Sequence, residues 1–124
     1  MQNSHGLLPS HVDDDTAAVA QARDLARLLA VLADPSRLGI LTHLRSGEHQ
    51  VGELATHLGL AQSTVSQHLE VLRRTGLVST HSHGRARVSR LEHEPFLTAL
   101  LAAAQDLQQA ASTTTTNHPE GGLR

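Results

Sequence analysis

Apolar positions along the chain fall into five helical stripes and one alternating stretch. Residues 15–33 place Ala18, Ala22, Leu25, Leu29 and Leu32 at spacings of four and three, which is one face of a helix. Asp13, Asp14 and Asp15 stand at its N-terminal end, where negative charge suits the helix dipole. Asp34-Pro35 interrupts the stripe and starts a second helix over about residues 35–45. There Asp34 is the N-cap, Pro35 takes the first helical position, and Leu38, Leu41 and Leu44 turn inward. Val51, Leu54, Ala55 and Leu58 then repeat at i, i+3, i+4 and i+7, and Gly59 ends that helix in the left-handed conformation glycine adopts without steric cost. A further helix buries Val65, Leu69 and Leu72 and is closed by Gly76. From Leu77 to Leu91 the period drops to two. Val78 and Thr80 lead up, Ser82-His83-Gly84 supplies a turn, and Ala86 and Val88 alternate with Arg85, Arg87 and Ser89 on the way down. The last helix, about residues 94–111, carries Leu97, Leu100, Leu101, Ala104 and Leu107 on one face.

This order predicts a mainly α chain with a small β-hairpin, a winged helix-turn-helix. Residues 14–111 form the domain, between a disordered N-terminal arm (1–13) and a disordered C-terminal tail (112–124) that lack periodicity. The outer face of the second helix of the pair shows Gln62, Ser63, Ser66, Gln67, Glu70 and Arg73, with Thr64, His68 and Arg74 beside them. Short hydroxyls and amides approach base edges closely, and arginine binds guanine or phosphate in a bidentate way. Arg85, Arg87 and Arg90 crowd the hairpin, which becomes a wing able to follow the phosphate backbone. The DNA-binding set expected is therefore Gln62, Ser63, Thr64, Ser66, Gln67, His68, Arg73, Arg74, Arg85 and Arg87. His68 sits at the edge of the buried stripe, where it packs or touches a phosphate.

The net charge of −2 changes meaning once it is divided. Residues 1–34 carry −3, residues 35–90 carry +4 and residues 91–124 carry −3. The positive charge lies where the DNA contacts are placed, and local charge makes the electrostatic footprint. So modest an excess points to affinity built from two protomers and weakened by salt. All ten basic residues are arginine, a compositional bias with no mechanism attached. There is no cysteine, which excludes disulfides, thiolate metal sites and thiol redox sensing. The single aromatic residue is Phe96, so the core is aliphatic. No signal peptide and no apolar run of membrane-spanning length is present, so a cytoplasmic protein with no membrane partner is expected. An enzyme is not expected. No glycine-rich phosphate loop appears, and Ser63, Ser66 and His68 have neither an acid partner nor an oxyanion motif.

The residues 32–41 (Leu-Ala-Asp-Pro-Ser-Arg-Leu-Gly-Ile-Leu), Glu53-Leu-Ala, Ser63-Thr-Val-Ser-Gln-His-Leu69, Leu72-Arg-Arg-Thr-Gly-Leu-Val78 and Gly84-Arg85, in this order and spacing, cover about residues 16–110. The chain so read resembles the ArsR/SmtB family of small dimeric bacterial transcription regulators. The resemblance implies a homodimer, joined through the first and last helices, on double-stranded operator DNA with two-fold symmetry. It implies release of DNA when an effector binds, and mostly repression of metal-efflux, metal-storage or stress genes. A thiolate site of that family uses Cys-x-Cys where this chain has Glu48-His-Gln-Val-Gly-Glu-Leu-Ala55, so that site is absent. A second family site spans the C-terminal helices, which cross antiparallel at the dimer axis. Its matching positions here are His93 and Pro95, then Asp106 and Gln109, of which His93 and Asp106 keep ligand chemistry. Ten histidines are present, at positions 5, 11, 43, 49, 57, 68, 81, 83, 93 and 118, and imidazole suits nickel, zinc, cobalt and copper(II). Expected metal ligands are thus His93 and Asp106, with His5 and His11 of the N-terminal arm folding back, and Ni2+ or Zn2+ as the ion. A metal-independent regulator of the same fold, answering to a small molecule or a co-regulator protein, fits the same residues.

Overall fold

A computed structural model describes residues 2–116, with side chains placed for residues 15–115. In chain order the elements are α1 (Gln2–Leu32), α2 (Pro35–Leu44), β1 (His49–Gln50), α3 (Val51–Leu58), α4 (Gln62–Arg74), β2 (Val78–His83), β3 (Ala86–Leu91) and α5 (Glu94–Thr116). The strands form an antiparallel sheet in the order β1-β3-β2. The chain divides into two compact units, Met1–Leu91 and Glu92–Arg124.

In the first unit the core is small and aliphatic, as one aromatic residue requires. Ile40 and Leu41 of α2, Leu54 of α3, and Val65 and Leu72 of α4 are fully buried. Val78, Val88 and Leu91 close the core from the sheet. Leu38 and Leu69, expected inside, are only half-buried, and Ile40 takes the inward place instead. Asp34 caps α2 as its sequence predicts. Its carboxylate accepts from the backbone N–H of Ser36 (2.8 Å) and Arg37 (3.1 Å). Those bonds to the charged form, the Arg37 one foremost, hold the Asp34 carboxyl below its ordinary pKa. Arg37 in turn donates from Nε to the Val31 carbonyl at 2.7 Å, tying the end of α1 to the start of α2.

Four details depart from the sequence reading. Helix α1 begins at Gln2, where an unordered arm is expected through residue 13; once residues 15–32 form a helix, each further residue is added without a second nucleation cost. Helix α5 continues to Thr116, through residues expected to be tail. There Thr113, Thr114 and Thr115 donate their hydroxyls to the carbonyls of Gln109, Ala110 and Ala111 one turn back, so the run is compatible with helix. The remainder of the expected tail, residues 117–124, lies outside the described residues. The hairpin turn is Gly84-Arg85, with His83 still paired to Ala86 in the ladder. Gly84 adopts φ +62°, so the tight turn needs glycine there. Finally, Ser89 is buried rather than outward. The short strand β1 pairs with β3 at His49–Ser89 and Gln50–Val88, which makes β3 central and covers its second edge.

Candidate nucleic-acid interface

Helix α3 sets the position of α4. The Glu53 carboxylate accepts the Gln50 N–H at 2.7 Å and so begins α3 with a reciprocal cap. Gly59 ends it at φ +69°, and the Leu60 N–H closes on the Ala55 carbonyl at 3.0 Å. Two residues later α4 starts. Gly52 lets the helices approach: a Cβ there would stand 3.2 Å from Gln62 Nε2.

Val65 and Leu72 point into the core, which leaves Gln62, Ser63, Ser66, Gln67, Glu70, Arg73 and Arg74 exposed on the opposite face. The wing brings Arg85 and Arg87 to the same unit, both exposed. A cleft of about 290 Å³ runs between α4 and the sheet, lined among others by Ser66, Glu70, Arg73, Thr80 and Arg87. Of the residues expected from the sequence, Ser66 and Arg73 of the recognition helix and Arg87 of the wing therefore line one open groove.

Three members of the expected set sit differently. Thr64 is half-buried at the shoulder of the helix. His68 turns away from the open face. Its side chain is 18% exposed, with Nε2 3.9 Å from Asp34 Oδ1 and Nδ1 3.4 Å from Arg37 Nη1. A guanidinium only donates, so Nδ1 accepts and the ring proton sits on Nε2, facing the carboxylate. His68 thus ties α4 to the α2 cap. Arg73 is not free: its Nε and Nη2 donate to Glu70 at 3.0 and 2.6 Å, and Arg74 lies 3.6 Å from the same carboxylate. The Arg73 hydrogen bonds hold Glu70 below its ordinary pKa and raise that of Arg73. Glu48 plays a similar part at the base of the wing, 3.6 Å from Arg90 and 3.8 Å from His83.

Of the expected metal ligands, His93 and Asp106 do not meet within one chain. His93, at φ +57°, precedes α5 and its carbonyl accepts the N–H groups of Phe96 and Leu97, while Asp106 lies thirteen residues on. At 1.5 Å per helical residue the pair is about 20 Å apart. His5 and His11 fall on helix α1, at positions whose side chains lie outside those described. The sequence reading missed a different gathering. His43, His49 and His57 come together in the first unit, with His43 tilted against both neighbours. Burial first, then His57 and His49, lower the pKa of His43. Spacings of six and eight residues carry no metal-ligand signature, which is why the pattern passed unnoticed.

Helix, turn, recognition helix and arginine-bearing hairpin together define a winged helix-turn-helix. The bacterial regulatory protein family named for arsR matches residues 34–80. The HTH-type transcriptional regulator NmtR of Mycobacterium tuberculosis is 48% identical over 77 residues, 62% of this chain and 62% of that protein's length. The arsenical resistance operon repressor of Staphylococcus xylosus is 39% identical over 72 residues, 58% of this chain and 69% of the repressor. Among solved structures, a homodimeric winged helix-turn-helix DNA-binding domain from Mycobacterium bovis superposes with a TM-score of 0.62 at 33% identity, covering 71% of this chain and 83% of that one. This chain belongs to the arsR family of bacterial regulatory proteins, whose members are regulators and not enzymes.

Proposed function

We propose that the chain is a sequence-specific transcription regulator that binds a two-fold operator duplex as a homodimer. The observation that carries this reading is the exposed polar face of α4, which shares a cleft with Arg87 of the wing, in the net-positive segment of residues 35–90. Gln62, Ser63, Ser66 and Gln67 read base edges, while Arg85 and Arg87 hold phosphates. Arg73 and Arg74 join them by exchanging Glu70 for phosphate. The partner DNA is double-stranded, and in a DNA-binding regulator the place of action is the cytoplasm; no described helix is long and apolar enough to cross a membrane.

The signal is a divalent transition-metal ion, with nickel and zinc the first choices for a histidine-rich chain without thiolates. Membership beside an arsenical resistance operon repressor supports a metal- or metalloid-responsive role. A small molecule or a co-regulator protein in the metal's place is the second reading, and it predicts operator affinity indifferent to these ions.

Fluorescence anisotropy tests the roles. The probes are a duplex from the region upstream of the chain's own gene and a scrambled duplex, each at several salt concentrations. Gln67→Ala narrows the difference between the two duplexes by about 1–3 kcal/mol. Arg87→Ala weakens both equally and lowers the salt slope by about one. Equal losses on both duplexes from both variants would undo the division of labour.

A further inference from the structure

We propose that His43, His49 and His57 form a three-imidazole site for a divalent transition-metal ion, outside the positions assigned to His93 and Asp106. This deepens the regulator reading by placing its effector. The ring centroids of His43 stand 4.6 Å from His49 and 4.7 Å from His57, and those two stand 6.1 Å apart. With zinc–nitrogen bonds of about 2.0–2.1 Å, three imidazoles around one tetrahedral ion place their centroids roughly 5 Å apart. The observed triangle brackets that value. The rings meet at 54°, 55° and 65°, tilted as ligands of one centre are, rather than stacked.

One ring already has the tautomer a ligand needs. His49 Nδ1 lies 2.8 Å from the Gly47 carbonyl. A carbonyl only accepts, so Nδ1 carries the proton and Nε2 keeps its lone pair. Metal-bound histidines characteristically donate their second nitrogen to a backbone carbonyl in this manner. Gly47 presents that carbonyl at φ +142°, in a turn that favours glycine. Among the described residues no group of three or more His, Cys, Asp or Glu side chains is placed, as it stands, to hold a metal ion. The site therefore requires the rings to turn toward a common point, and the exposed His57 has room to do so. Three neutral imidazoles without thiolate select borderline ions such as zinc and nickel and leave a fourth position for water. His43 lies in the last turn of α2, His49 in β1, and His57 in the last turn of α3. An ion there would fasten α3, the helix that positions α4.

The test is calorimetric titration of the full chain with zinc chloride, then nickel chloride, in a non-chelating buffer without DNA. The expected result is one ion per chain. His57→Gln weakens it at least tenfold, by roughly the margin that loss of a supporting group costs, while the double variant His93→Gln/Asp106→Asn leaves it unchanged. His57 is exposed, and a circular dichroism melt verifies that its variant folds. Zinc also shifts the imidazole NMR signals of His43, His49 and His57. No binding by the unaltered chain, binding kept in His57→Gln, binding lost in the double variant, or unmoved signals from these three rings would each overturn the site. DNA takes no part in the titration, so a failed operator assay and a failed metal site are read separately.

Discussion

Ala61 begins α4 with no side-chain acceptor for the first-turn amides. A serine there has extended backbone geometry ready to cap, since Ala61 already sits at φ −69° and ψ 146°. Ala61→Ser is expected to stabilise the chain by about 1 kcal/mol, a rise of several degrees in the melting temperature followed by circular dichroism. An unchanged or lower value would mean that the helix does not start at Gln62. His68 shows the opposite situation, a polar side chain whose partners are supplied from far along the sequence. Its place on the helical stripe was readable; that Asp34 and Arg37 would meet it was not, because both lie more than thirty residues away. Ser89 behaves likewise, since period two put it outward and a strand of two residues covered it.

At the scale of elements, the pair α3–α4 was legible because its evidence is local. The 3.6-residue period, Gly59 and Gly76 all act within a turn or two, and the helices appear where those signals put them. β1 left no such trace: His49-Gln50 has no period of its own and exists only by pairing with β3, some forty residues on. The polar face of α4 was also legible, but not its internal pairing. Glu70 holds Arg73 and Arg74 at the face proposed to meet phosphate. Negative charge at that place repels DNA and competes for the arginines. Glu70→Gln is therefore expected to raise affinity for random duplex several-fold and to steepen its salt slope by up to about two, one for each arginine released. Anisotropy titrations across a salt series measure both. An unaltered slope would show that these arginines do not reach the backbone.

For the whole molecule, the question is what covers the long helices. On α1, Val19 and Leu25 are more than half exposed and Leu29 nearly so; on α5, Phe96 is 77% and Leu107 70% exposed. A core of a few aliphatic side chains is thin for a domain of this size, and apolar stripes left in water add nothing to it. A second copy of the chain is the natural cover, because a two-fold interface uses the same patch twice and pairs the two recognition helices with a two-fold operator. Pairing also resolves the charge: one net-positive centre of +4 is modest, whereas two on one duplex double the phosphates neutralised. The full chain is thus expected to sediment at about twice its 13.3 kDa mass. Leu25→Arg and Leu107→Arg, each placing a charge in one of these stripes, are expected to shift it toward 13.3 kDa while helix content persists. The monomer then contacts one half-site, so its salt slope on operator falls to about half. A wild-type monomer at micromolar concentration with the full slope would sink this picture, because one protomer would then supply every phosphate contact alone.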